Sequence, residues 1–244
     1  MAPAKPSFVR VTALTHRGRV RADNEDTIVV GDWVSVVDMS EVRQSRHALD
    51  GPFVCAIADG MGGHRAGEVA SRYVARRIAG EPEQLTDTAG TIETLQAINS
   101  ELYRAMQADE DLLGMGTTVV GLVFAPRLVW FNVGDSRLYR YESSQLRQIS
   151  VDDTPSGPRS GLLTQSLGGA LPPSPIMPHV GEGELTSPSR FLLCSDGLSD
   201  MLEDADIEDC MHLPDLDAAA QMFNLAMRAG GADNISIVVA SLET

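Results

Sequence analysis

The chain has 244 residues, of which 43% are hydrophobic and 22% charged, and its formal net charge is −15. That length buries the core of one large domain or two small ones. The acidity opposes phosphate backbones and anionic lipid heads, so neither nucleic acid nor a membrane is expected as a partner. Three cysteines, Cys55, Cys194 and Cys210, form no Cys-x-x-Cys pair; two sit in apolar runs and read as small buried hydrophobes with no disulfide framework, which fits a reducing compartment. Residues 1–10 lack the apolar stretch of a secretory signal, and no apolar run approaches the roughly 18–20 residues of a membrane span. A cytoplasmic, monomeric, soluble protein is the expectation.

In chain order, Phe8–Leu14 alternates and predicts a strand. The polar stretch Asp38–Asp50 predicts a surface loop. Phe53–Ala58 is an apolar run ending at Asp59-Gly60, a buried strand meeting a turn. Val69, Ala70, Tyr73, Val74 and Ile78 recur at helical spacing over 66–79, and Ile92, Leu95, Ile98, Leu102 and Met106 over 88–108. Thr117–Phe124 and Leu128–Val133, joined by Ala125-Pro126-Arg127, suit a hairpin, as do Arg137–Tyr141 and Gln145–Ile149. Residues 150–188 are rich in Pro, Gly and Ser and predict an irregular surface loop. A strand over 190–195, a helix over 215–228 and a strand over 234–240 follow. With no repeat or linker, this order predicts one α+β domain over 1–244, with helices covering antiparallel sheet.

Asp26, Asp59, Asp135, Asp196 and Asp233 are read as sharing one feature: each is expected at the exit of an apolar strand, in a segment with Gly, Ser or Asn. Singly, such an Asp caps a turn, because its side chain bonds nearby backbone amides. Together, if two sheets bring these positions to one rim, the carboxylates converge, and clustered negative charges require a cation. Oxygen-only ligands suit Mg²⁺, Mn²⁺ or Ca²⁺ rather than Zn²⁺. No His-x-x-x-His, Gly-x-Ser-x-Gly or Gly-x-x-x-x-Gly-Lys pattern supports a zinc hydrolase, a serine nucleophile or a phosphate-loop nucleotide enzyme.

Several segments then resemble, in order, the signatures of the metal-dependent protein phosphatases (the PPM or type 2C family) in their bacterial form. They are Thr15-His-Arg-Gly18 through Arg21 to Asn24-Glu25-Asp26, Ala58-Asp-Gly-Met-Gly-Gly-His64 with Gly67-Glu68, Gly116-Thr-Thr118, and Val133-Gly-Asp-Ser-Arg137 with Tyr139. Leu163-Thr-Gln-Ser-Leu-Gly168, Cys194-Ser-Asp-Gly-Leu198 and Asp233-Asn-Ile-Ser236 complete the series. The resemblance spans about residues 10–241. It implies a four-layer αββα sandwich with two central antiparallel β-sheets. It also implies hydrolysis of phosphoserine and phosphothreonine in proteins by a metal-activated water, using two or three Mn²⁺ or Mg²⁺ ions. By the same resemblance, Asp59 bridges two metals, the Gly60 carbonyl binds one of them, and Asp196 and Asp233 complete its shell. Glu25 and Asp26 hold the second side, partly through water, and Asp135 with Asp196 marks a third-metal position. Arg21 binds the substrate phosphate, for which a permanently charged bidentate donor is suited. The implied partners are phosphorylated proteins, those of a bacterial Hanks-type Ser/Thr kinase, in signal transduction.

Two departures stand out. Met61 occupies the position after Asp-Gly where eukaryotic members carry a histidine, and His64 lies three residues on. His64 is a candidate for proton transfer or substrate contact, with metal-bound water as the other proton source and a structural turn histidine as the bland reading. The flap region, about 150–189, is short, which predicts an open cleft rim with altered substrate selection. The rival functions are a pseudophosphatase that binds a partner and a metal-dependent nuclease or phosphodiesterase. The former is opposed by the full set of Asp residues, the latter by the lack of a basic groove.

Overall fold

The computed structural model describes residues 6–35, 37–62, 66–155 and 162–244. Its elements are β1 (Phe8–His16), β2 (Asp26–Val30), β3 (Trp33–Val34), β4 (Arg43–Ala48), β5 (Phe53–Met61), α1 (Ala66–Gly80), α2 (Thr88–Ala108), β6 (Gly116–Thr117), β7 (Val119–Phe124), β8 (Leu128–Val133), β9 (Arg137–Glu142), β10 (Gln145–Gln148), β11 (Leu167–Gly168), β12 (His179–Gly183), β13 (Arg190–Cys194), α3 (Asp196–Ser199), α4 (Asp204–Met211), α5 (Asp215–Arg228) and β14 (Ile235–Glu243). One sheet runs β10-β9-β13-β14-β1-β4. The other runs β11-β6-β5-β7-β8-β12, with β2 beside β5 and β3 beside β2. Neighbouring strands are antiparallel throughout.

Three apolar layers hold four layers of structure. Val74, Ile78, Leu95, Ile98 and Leu102 of α1 and α2 pack on Val54, Ala56 and Ala58 of β5. Met211 of α4 and Ala219 and Met222 of α5 pack on Ile237 and Val239 of β14. Between the sheets lie Val11, Ile28, Ile57, Leu122, Phe124, Phe191 and Val238. This is the expected αββα sandwich, an α+β fold. No helix among the described residues is long and apolar enough to cross a membrane.

Strand alternation sets what faces inward. On β5, Cys55 and Ile57 enter the inter-sheet layer while Val54, Ala56 and Ala58 face the helices. On β2, Ile28 and Val30 point between the sheets; on β14, Val238, Ala240 and Leu242 do. Continuing each alternation toward one end of the sandwich brings Asp59, Asp26 and Ser236 onto the inward face. The same parity applies to Thr15 beyond Ala13, and to Ser195 beyond Leu193. The inter-sheet layer therefore turns polar at one end, and there the site forms.

The helices over 88–108 and 215–228 match their predicted bounds. Two expectations fail. The segment 38–50 is not only a loop: Arg43–Ala48 forms β4, a polar edge strand on β1 whose exposure hides the alternation of a half-buried strand. The 150–188 stretch contains β11 and β12. β12 carries glycines because the Trp130 ring covers Gly181 and leaves no room for a Cβ, so it shows no apolar period. Strand β2 and the short helices α3 and α4 had no counterpart among the expected elements; α4 is half Asp and Glu. Residues 156–161 of the flap and His64 lie outside the described residues.

Candidate active site

Asp26 and Asp59 are direct cross-strand partners in the β2–β5 register, which puts paired Cβ atoms about 5 Å apart. Asp26 is buried at 3% exposure. Its Oδ2 accepts hydrogen bonds from Ser236 Oγ at 2.6 Å and Ser195 Oγ at 2.8 Å, while its Oδ1 is buried without a partner. Burial pushes this carboxyl up to about 6, with the two hydroxyls working in the opposite direction. Thr15 Oγ1 and Ser236 Oγ lie 2.8 Å apart, extending the hydroxyl floor.

Asp59 opens to the cleft. Its acidity is held well below that of an ordinary carboxylic acid by desolvation, then by repulsion from Asp26, Asp196, Asp233 and Asp135. Asp196, following Ser195 at the start of α3, is raised to about 7 by burial and by Asp135, Asp233 and Asp26. Its Oδ1 is also buried without a partner. Asp135 rises to about 6 through burial, and Asp200 and Asp152 repel it. Burial likewise raises Glu25, with the Arg21 charge opposing.

The backbone around these carboxylates is closely packed. Gly60 meets the Gly67 carbonyl of α1 and the Glu25 carbonyl, so no larger residue fits there. Gly60 N–H donates to Glu25 O at 3.2 Å, and Ser71 Oγ donates to the same carbonyl at 2.5 Å. Thr118 N–H and Thr117 Oγ donate to the Asp59 carbonyl at 2.9 and 2.8 Å. Asn234 ties three segments: its Oδ1 accepts from Glu25 N–H at 2.8 Å, and its Nδ2 donates to Arg17 O and Asp23 O.

Arg21 stands at the rim. Its Nη2 donates to Asp233 Oδ2 at 2.6 Å, and the side chain remains 53% exposed. Asp233 Oδ1 accepts from Asn234 N–H at 2.8 Å. The Asp233 bond is the main reason the guanidinium holds its proton more tightly than usual.

The sequence-predicted residues thus converge, although Asp26 opens β2 and Asp233 precedes β14, so neither leaves a strand as expected. Asp26, Asp59, Asp196 and Asp233 act on one another electrostatically, Glu25 and Arg21 join them, and Asp135 reaches Asp59 and Asp196. An oxygen-only donor set with two orphaned buried carboxylate oxygens fits hard divalent cations. Among the described residues, however, no three Asp, Glu, His or Cys groups stand close enough together to hold one ion. The donor chemistry and the mutual repulsion carry the metal reading; the side-chain spacing does not. The hydroxyls of Ser195 and Ser236 escaped sequence reasoning, although extending the strand alternation past the last apolar residue points to both. Asp200 escaped as well, although it lies one helical turn from Asp196.

The comparisons with known proteins agree. The protein phosphatase 2C family model matches residues 41–236. The Serine/threonine protein phosphatase PstP of Mycobacterium tuberculosis is 33% identical over 96% of this chain, which spans only 45% of that relative's length. The Serine/threonine phosphatase stp of Listeria welshimeri is 32% identical over 92% of both chains. The crystal structure of the catalytic domain of serine threonine protein phosphatase PstP in complex with two manganese ions superposes with a TM-score of 0.78 at 32% identity, covering 98% of this chain and 100% of that one. By the extent of the family match and the identity to full-length relatives, this chain belongs to the protein phosphatase 2C family.

Proposed function

We propose that the chain is a protein-serine/threonine phosphatase that hydrolyses phosphoserine and phosphothreonine esters in proteins. The observation that carries this is the buried Asp26–Asp59 pair, crowded by Asp196 and Asp233 and overlooked by an exposed arginine. The related phosphatase that holds two manganese ions supports a divalent-metal centre here.

Asp59, Asp196, Asp233 and the Gly60 carbonyl would hold one ion, Glu25 and Asp26 a second, and Asp135 with Asp196 a third. Mn²⁺ or Mg²⁺ bound there would supply Lewis acidity toward water and the phosphoryl oxygens. Ser195 and Ser236 orient the Asp26 carboxylate by donating to one oxygen, which leaves the other for a cation. Arg21, anchored through one N–H on Asp233, keeps other N–H groups for substrate phosphate oxygens. The anchor fixes the guanidinium's direction, which reduces the ordering that substrate binding requires.

The substrates we propose are phosphoproteins made by a Hanks-type Ser/Thr kinase, acted on in the cytoplasm; three buried free cysteines support a reducing compartment. The test is Mn²⁺-dependent phosphate release from p-nitrophenyl phosphate and from phosphothreonine peptides, run beside Asp59→Asn. Turnover by wild type and its loss in the variant are expected. A wild-type chain that binds phosphoprotein without turnover would instead establish a partner-binding pseudophosphatase.

A further inference from the structure

One residue along β5 from Gly60, the chain borders a cavity of about 230 Å³. Met61, Leu163, Pro175 and Ile176 give it an apolar lining, and Thr164 and Ser166 add neutral polar edges. None of its described lining residues is charged, beside a site crowded with carboxylates in a chain of net charge −15.

The wall is tied in place from several sides. Asp153, 8% exposed, accepts hydrogen bonds from Gln165 Nε2 at 2.8 Å and from Gly134 N–H at 2.8 Å, and pairs with His179 Nε2 at 2.8 Å. Its carbonyl accepts from Thr164 N–H at 2.7 Å. Gln165 closes a two-way bond with the Met177 backbone, at 2.9 and 3.0 Å. From α2, Asn99 accepts from Gly168 N–H at 2.8 Å and donates to Ser174 O at 3.1 Å. A cavity braced in this way is preformed, and preformed apolar pockets with a few fixed polar groups are the usual form of a ligand subsite. Apolar side chains continue outward from it. Leu162, Leu171 and Met177 each adjoin a lining residue in sequence, and Met177, at 80% exposure, is the most exposed large apolar side chain among the described residues.

We propose that this cavity is a specificity pocket that takes an uncharged, apolar side chain next to the phosphorylated residue of the protein substrate. The inference rests on the phosphatase reading and deepens it. Continuity argues for the substrate as occupant, because Met61 is bonded directly to Gly60 at the acidic centre. Charge argues for a neutral one: an acidic neighbour of the phosphoresidue would meet the carboxylate cluster without a compensating cation in the pocket wall. The Asp153–His179–Gln165 cluster links the pocket wall to the Gly134-Asp135 turn.

The test compares kcat/KM of the Mn²⁺-loaded full chain on four phosphothreonine peptides that differ only in their flanking residues: Leu, Ser, Glu or Lys. Turnover of p-nitrophenyl phosphate, which has no flanking residue, serves as the reference. Wild type is expected to favour the Leu peptide over the Glu peptide by roughly tenfold or more. Ala170→Trp, which fills the cavity mouth, should abolish that preference relative to the reference. Thr164→Glu should turn it toward a Lys-flanked peptide. Equal kcat/KM on all peptides with p-nitrophenyl phosphate still turned over would overturn the pocket alone. A dimer that dissociates on Ala170→Trp, with flat peptide selectivity, would overturn the substrate as occupant. Absence of p-nitrophenyl phosphate turnover would overturn the phosphatase reading, and the pocket with it.

Discussion

The two ends of the inter-sheet layer share β5 and differ in kind. At one end Phe53, Phe124 and Phe191 meet, with adjacent ring centroids 6.4 Å apart. At the other, β5, β2 and β14 bring Asp59, Asp26 and Ser236 to the same inward face. Every aromatic contact at the first end favours folding, because apolar area leaves water and Phe124 meets Phe191 edge to face. At the second end, buried carboxylates repel one another and oppose it. The protein thus separates stability from chemistry along a few strands, and the well-packed end supports the strained one.

The sharpest way to break that comparison is Asp59→Asn. Activity should fall at least about 10³-fold in kcat, while the metal-free protein should melt at a higher temperature, since one of five mutually repelling carboxylates is gone. A lower melting temperature would mean that the acidic end contributes to stability after all. At the opposite end, Phe191→Ala should cost about 3–5 kcal/mol in urea unfolding and leave kcat per folded molecule unchanged. Between these extremes, Ser236→Ala removes the shorter hydroxyl bond to Asp26. It should weaken Mn²⁺ binding by about 10–100-fold, measured by calorimetric titration.

The smallest expected effect is on pH dependence. In the metal-free protein Asp26 and Asp196 stand at about 6 and about 7, and Asp59 higher than usual, against an ordinary carboxylate near 3.8. The folded state therefore binds protons more tightly than the unfolded chain. Stability from this source is fully present below the ordinary carboxylate range and is lost as pH rises through 6 and 7. Melting temperature in a chelator should fall between pH 5 and pH 8, and saturating Mn²⁺ should remove or reverse the trend. A rising curve in chelator would contradict the strained end.

Much of this architecture was legible in the sequence, because its strongest signals are local. The stripe of Leu95, Ile98 and Leu102 marks α2, and apolar runs that stop at Asp59 or just before Asp196 mark both a strand end and a candidate ligand. Features set by partners far along the chain were not. β4 is polar on both faces, and only its ladder to β1 makes it a strand. β12 owes its glycines to Trp130, some fifty residues away. The pairing of Asp26 with Asp59 is a matter of register, and Arg21 finds Asp233 across 212 positions. Ser195 and Ser236 look like ordinary small residues until both are seen to donate to one carboxylate.

The Asn234 tie has a consequence for biosynthesis. A side chain from the last strand's threshold grips the backbones of Arg17, Asp23 and Glu25, while β14 lies along β1. Contacts this distant in sequence form late and slowly. A nascent polypeptide still lacking residues beyond about 230 has neither Asp233 nor the clamp on its own N-terminal loop. Translation itself therefore leaves the acidic site unassembled until its last segment has emerged, and fragments ending before that point should lack the site however well their helices form.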